Sequence, residues 1–145
     1  ETDGQAPLAQ SNAILAYVGR TYGLHPQDAW EAARHEGIMQ SVEDLRLGFG
    51  TTGSKDEDEK KAKREAFAAG PLKSWASNVS AQIKGPFTGG DTLQVADIKV
   101  WSIVNSVLSG TYDHIPGSVL DEYNKVLGLH AAVAAHPKIA EWRSK

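Results

Sequence analysis

One cored domain is what 145 residues with 41% hydrophobic content can build, and there is no room for a second of full size. A net charge of -3 gives no basic footprint for nucleic acid or an anionic membrane surface, and no apolar run approaches the roughly 20 residues that span a bilayer. Without a single cysteine there is no disulfide, no thiolate metal site and no cysteine nucleophile, a usage compatible with a cytoplasmic protein.

Glu1-Thr2-Asp3-Gly4 reads as the end of a strand, with a hairpin turn at Asp3-Gly4 whose other half is expected upstream. Ala6 to Ala9 is extended and runs into Gln10-Ser11. The apolar positions then switch to helical spacing at Ile14, Leu15 and Val18, which predicts a helix over 11–22 capped by Ser11 and closed by Gly23. Unpaired N–H groups at that N-terminus, next to a hydroxyl, suit a small carboxylate. Residues 24–27, Leu-His-Pro-Gln, form a linker because proline disfavours helix in the residue before it.

Asp28 is placed to cap a long helix with Trp30, Ala33, Ile38, Val42 and Leu45 on its apolar side, and Gly48, Gly50 and Gly53 are expected to interrupt it. Lys55 to Glu65 is a mixed-sign run with the acidic block first, the pattern of a solvated helix aligned with its own dipole. Phe67, Leu72, Trp75, Val79 and Ile83 continue as a helical stripe, bent at Gly70-Pro71 and stopped by Gly85-Pro86. Leu93 to Leu108 is apolar nearly all round, so it is expected to be the buried centre of a helical bundle. Asp97 lies in its first turn, spaced to reach back to the backbone N–H at the cap, while Leu93 and Ile98 are spaced as a hydrophobic staple. Gln94 stands at the cap itself and is a poor one, a substitution costing roughly 1 kcal/mol. The five histidines show no i, i+4 pair with an acidic partner, so no metal site is expected. They read as surface or hydrogen-bonded side chains.

Three segments carry a family resemblance. Gln10-Ser11-Asn12-Ala13-Ile14 with Tyr17 and Gly23-Leu24, then Gly90-Asp91-Thr92-Leu93-Gln94-Val95-Ala96-Asp97, then Leu120 through His136-Pro137-Lys138-Ile139 resemble, in order, the signatures of cytosolic glutathione transferases, most like the sigma, mu and pi group. Asn124 stands where that family has proline at the entry to a helix. The resemblance implies a mainly all-α fold. Residues 28–145 would be the family's C-terminal helical bundle, and residues 1–23 the last strand or hairpin and helix of a thioredoxin-like α/β domain.

It also implies glutathione as a substrate, with no metal, and conjugation of its thiol to an electrophile. The thiol-activating residue is expected upstream, so no catalytic residue lies in this chain. Gln10 and Ser11 would hold the γ-glutamyl carboxylate, and Leu47 and Phe49 would wall a pocket for a hydrophobic electrophile. Gln40-Ser41-Val42-Glu43-Asp44-Leu45-Arg46 resembles a stretch whose leading aspartate reaches across a homodimer to the γ-glutamyl ammonium. Here that position is Gln40, and a neutral amide forfeits roughly 1 kcal/mol of affinity. Glu36, one turn earlier, is placed to compensate.

A different class of function shares this resemblance: a non-catalytic structural or assembly module on the same fold, in a larger complex. Gln40 and Gln94 lean towards the module, and the intact Gln10-Ser11 pair leans towards the enzyme.

Overall fold

The computed structural model describes Gly4 and residues 6–145, so the strand end and hairpin expected at the start fall mostly outside the described residues; Gly4 itself sits in a turn with φ 82°. Ala6 to Ala9 is irregular. Most of the rest is helical: α1 (Ser11–Thr21), α2 (Ala29–Thr51), α3 (Glu57–Phe67), α4 (Lys73–Gln82), α5 (Val95–Leu108), α6 (Asn124–Ala135) and α7 (Pro137–Arg143). Among the described residues there is no strand, only an isolated bridge between Phe87 and Gly90. The all-α expectation therefore holds.

The local signals for these helices are side-chain caps and helix-compatible first residues. Asp28 accepts from the Glu31 N–H at the start of α2, and Asp56 from the Glu59 N–H at the start of α3. The charge run follows its expectation, with Glu59 paired to Lys63 at 2.7 Å and Glu57 to Lys60 at 2.9 Å along the solvated side of α3. Asn124 is the first residue of α6, the helix position in which proline is most at home, which is why the exchange leaves the helix intact. Between α3 and α4 the chain does not simply bend. Ala68–Leu72 forms a π turn around Pro71, the proline being absorbed by a wider turn.

The glycines near the end of α2 behave differently from expectation. The helix continues through Gly48 and Gly50 to Thr51. The tertiary help is the Phe67 ring, which lies so close to the Gly48 Cα that a Cβ built there would sit 2.6 Å from Phe67 Cε2. Phe67 in turn packs against Phe49, ring centroids 4.6 Å apart. Gly48 is thus the gap through which α3 seats an aromatic ring on α2.

α5 is the axis of the bundle. Val95, Ala96, Asp97, Lys99, Val100, Ile103, Val104 and Val107 are all buried, and its neighbours are chiefly α6 and α2. A second, smaller apolar cluster joins Ala16 of α1 to Met39 of α2 and to Val95 and Ala96 of α5. Here Gly19 brings α1 close, since a Cβ on it would meet Val95 Cγ2 at 3.0 Å, and the Val95 N–H donates to the Leu24 carbonyl at 2.9 Å. The histidines are less exposed than their setting in the sequence implies: His25 and His35 are both buried. Burial pushes the His35 imidazole down to about 4, helped by the Arg34 guanidinium, so it is neutral at pH 7.

Gly48→Ala separates helix propensity from packing. Propensity alone favours alanine by about 1 kcal/mol, whereas the clash with a packed Phe67 ring costs roughly 1–3 kcal/mol. The urea midpoint is expected to fall for Gly48→Ala and to hold or rise for Gly50→Ala, where a Cβ meets nothing within 4 Å.

Candidate functional site

The site at the start of α1 is built on a strained residue. Gln10 has φ 74° and ψ 121°, a left-handed setting that a side-chain-bearing residue adopts at a cost of roughly 1–3 kcal/mol. Gln10 is the cap position, though its side chain makes no capping bond, and Ser11 is the first helical residue instead of the cap. The first intrahelical bond runs from the Ile14 N–H to the Gln10 carbonyl at 3.0 Å. The N–H groups of Ser11, Asn12 and Ala13 therefore lie beyond the helical ladder, at the positive end of the helix dipole.

Ser11 remains exposed, but its hydroxyl is engaged. It donates to Glu43 Oε1 at 3.1 Å and accepts from Lys99 Nζ at 3.0 Å. Lys99 also pairs directly with the same Glu43 oxygen. The Lys99 ammonium, opposed by desolvation and assisted by the Ser11 hydroxyl, holds the Glu43 carboxyl below the usual carboxylate range. Neither Glu43 nor Lys99 stands out as a site residue in sequence. The available signal is a lysine inside a largely apolar helix.

The neighbouring groove, with a cavity volume of about 680 Å³, runs between α1 and α2 and is lined by Asn12, Tyr17, Arg20, Glu36 and Gln40 among others. Gln40 Oε1 accepts from Asn12 Nδ2 at 3.3 Å, and Gln40 Nε2 donates to Asp44 Oδ1 at 3.3 Å. The carboxylate missing at Gln40 is thus present one turn further along α2, on the exposed Asp44. Glu36, the expected compensation, is instead held by Arg20 at 2.5 Å, with His25 Nε2 at 3.4 Å.

Leu47 and Phe49 part company. Leu47 is 71% exposed near the end of α2, while Phe49 is buried, its ring stacked on Tyr112 with centroids 3.9 Å apart. Phe49 is covered by the rings of Phe67 and the half-buried Tyr112 and presents no wall of its own.

Asp97 is fully buried at the start of α5. Its carboxylate accepts from the Thr88 N–H at 2.7 Å and from the Gln94 N–H at 2.8 Å. Burial pushes its pKa up while these donors pull it down. It therefore fastens the 85–94 turn to the helix and takes no part in an open cleft.

Fold and site define a helical chain whose first helix carries, on its exposed first turn, a hydroxyl bonded to the Glu43 carboxylate. Residues 43–145 match the family described as glutathione S-transferase, C-terminal domain. Glutathione S-transferase P of Pongo abelii is 31% identical over 140 residues, covering 94% of this chain and 63% of that protein. Its Homo sapiens counterpart is 30% identical over the same shares. The solved structure of prostaglandin synthase D of Nilaparvata lugens superposes with a TM-score of 0.84 at 25% identity, covering 100% of this chain and 71% of that one. The chain belongs to the glutathione S-transferase family and carries its C-terminal domain. It spans 63% of the length of the transferase P relatives it matches.

If Asp97 is a structural cap, Asp97→Ala leaves the buried Thr88 N–H and the half-buried Gln94 N–H without this acceptor and lowers unfolding stability by roughly 1–3 kcal/mol. Chemical denaturation measures this. Unchanged stability would contradict the structural role.

Proposed function

We propose that this chain forms part of a glutathione transferase that joins the glutathione thiol to a hydrophobic electrophile in the cytoplasm. Ser11 and the N–H groups around it receive the γ-glutamyl carboxylate. The observation that carries this reading is the strained Gln10 immediately before α1, which directs the chain into a first turn whose N–H groups lie outside the helical ladder beside the Ser11 hydroxyl. Backbone strain of this kind is kept where a precise presentation is needed. The thiol-activating group is supplied by another part of the protein.

Ile14, Val18 and Tyr22 leave apolar surface on α1 exposed, consistent with a thioredoxin-like layer packing there and with residues 1–23 belonging to it. Leu47 supplies apolar surface for the electrophile, with Phe49 backing Tyr112 behind it. Residues 28–145 are then the helical domain. Homodimerisation fits the α1–α2 groove lined by Gln40, whose hydrogen-bonded partner Asp44, outside that groove, would add an anion for the ammonium of glutathione bound by a second subunit. The neutral Gln40, which in sequence weighs towards a non-catalytic assembly module, carries less weight with Asp44 beside it. Among the described residues no helix is long and apolar enough to cross a membrane, and no group of three or more metal-binding side chains is gathered.

The test uses the full-length natural protein on immobilised glutathione, followed by calorimetric titration. The parent is retained, and Ser11→Ala binds glutathione about tenfold more weakly, the loss of one hydrogen bond to a charged group. A parent that is not retained and shows no heat of binding would exclude the enzyme in favour of the module.

A further inference from the structure

The hydroxyl of Ser11 and the ammonium of Lys99 converge on one oxygen, Glu43 Oε1, from two different helices. Two donors aimed at a single carboxylate oxygen are the working parts of a carboxylate site, and here the chain's own Glu43 occupies it. Lys99 is only 8% exposed, and burying an ammonium is expensive unless it is paired. Its side-chain partners lie on α1 and α2, at Ser11 and Glu43. Glu43 is held less tightly: its side chain is 31% exposed, on the water side of the triangle, where it can turn away.

From this geometry we propose that Lys99 is the second donor of the carboxylate site at Ser11, and that Glu43 is an internal occupant which the ligand's carboxylate displaces. The ligand class is an α-amino carboxylate. The proposal rests on the reading of Ser11 as the γ-glutamyl site. When the ligand arrives, the Ser11 O–H turns from Glu43 to the incoming carboxylate, and Lys99 stands behind the hydroxyl, accepting no proton and losing none. The positive charge of Lys99 then balances the ligand in place of Glu43. Lys99 is a positioning residue whose charge sets affinity, and Glu43 is a brake on it.

The two residues give opposite signs, which a merely structural role does not. Lys99→Met removes a charged donor, and glutathione affinity falls about tenfold, while Lys99→Arg restores most of it. Glu43→Gln removes the competing anion and leaves Lys99 uncompensated until ligand binds, so affinity rises about three- to tenfold.

Binding is measured by titration calorimetry on the full-length protein with two probes: glutathione, and γ-aminobutyryl-cysteinyl-glycine, which lacks only the γ-glutamyl α-carboxylate. Neither variant changes affinity for the second probe. Equal losses on both probes in Lys99→Met, or weaker glutathione binding in Glu43→Gln, would overturn the proposal while leaving the transferase reading in place. A parent that binds neither probe would overturn both. Glu43→Gln alters a partly exposed side chain, so it decides the matter even if Lys99→Met fails to fold.

Discussion

The buried carboxylate of Asp97 is the constraint on which the arrangement of helices depends. An aspartate fully excluded from water is costly, and desolvation pushes its pKa upwards. The cost is offset because two backbone N–H groups, from Thr88 and Gln94, have no other acceptor and meet this one at short range. The bond to Gln94 closes the first turn of α5, and the bond to Thr88 closes the irregular turn before it. Arg34 of α2 donates to the Thr88 carbonyl at 3.1 Å, so the same turn is also fastened to the long helix. One buried carboxyl group thereby sets where the central helix begins and how its faces are rotated.

That rotation places the chemistry. With Val95 and Ala96 directed into the cluster that holds Ala16 and Met39, the next turn brings Lys99 to the junction of α1, α2 and α5. Gly19 lets α1 come close enough for Ser11 to lie within hydrogen-bond reach of Lys99. The strain at Gln10 then decides which way the first turn of α1 faces. The route from core to site runs through packed contacts of ordinary kinds: a cap, a small-residue approach and a half-buried ion pair.

The helices were legible in the sequence because their signals are local: Asp28 before an apolar stripe, an acidic first turn before Lys60, and apolar residues on all faces from Val95 onwards. The hydrogen bond from the Gln94 N–H to Asp97 was legible for the same reason, through the spacing of the two residues. What escaped was whatever depends on partners distant along the chain. The passage of α2 through Gly48 depends on Phe67, and no reading of local glycine content finds it. The burial of Phe49 depends on Tyr112. Lys99 and Glu43 lie on different helices, and only the folded chain brings them onto Ser11. Asp44 was within reach of sequence reasoning, since i, i+4 from Gln40 puts it on the same helix face, yet a motif read position by position passes over it.

In the proposed site the first turn of α1, backed by a charge from α5, receives a carboxylate. A crystal structure of the full-length protein with glutathione bound tests it most directly. The γ-glutamyl carboxylate is expected within about 3 Å of Ser11 Oγ, with Lys99 Nζ facing it and Glu43 turned out towards water. Glutathione bound elsewhere, or bound with the Ser11–Glu43 hydrogen bond still in place, would contradict it.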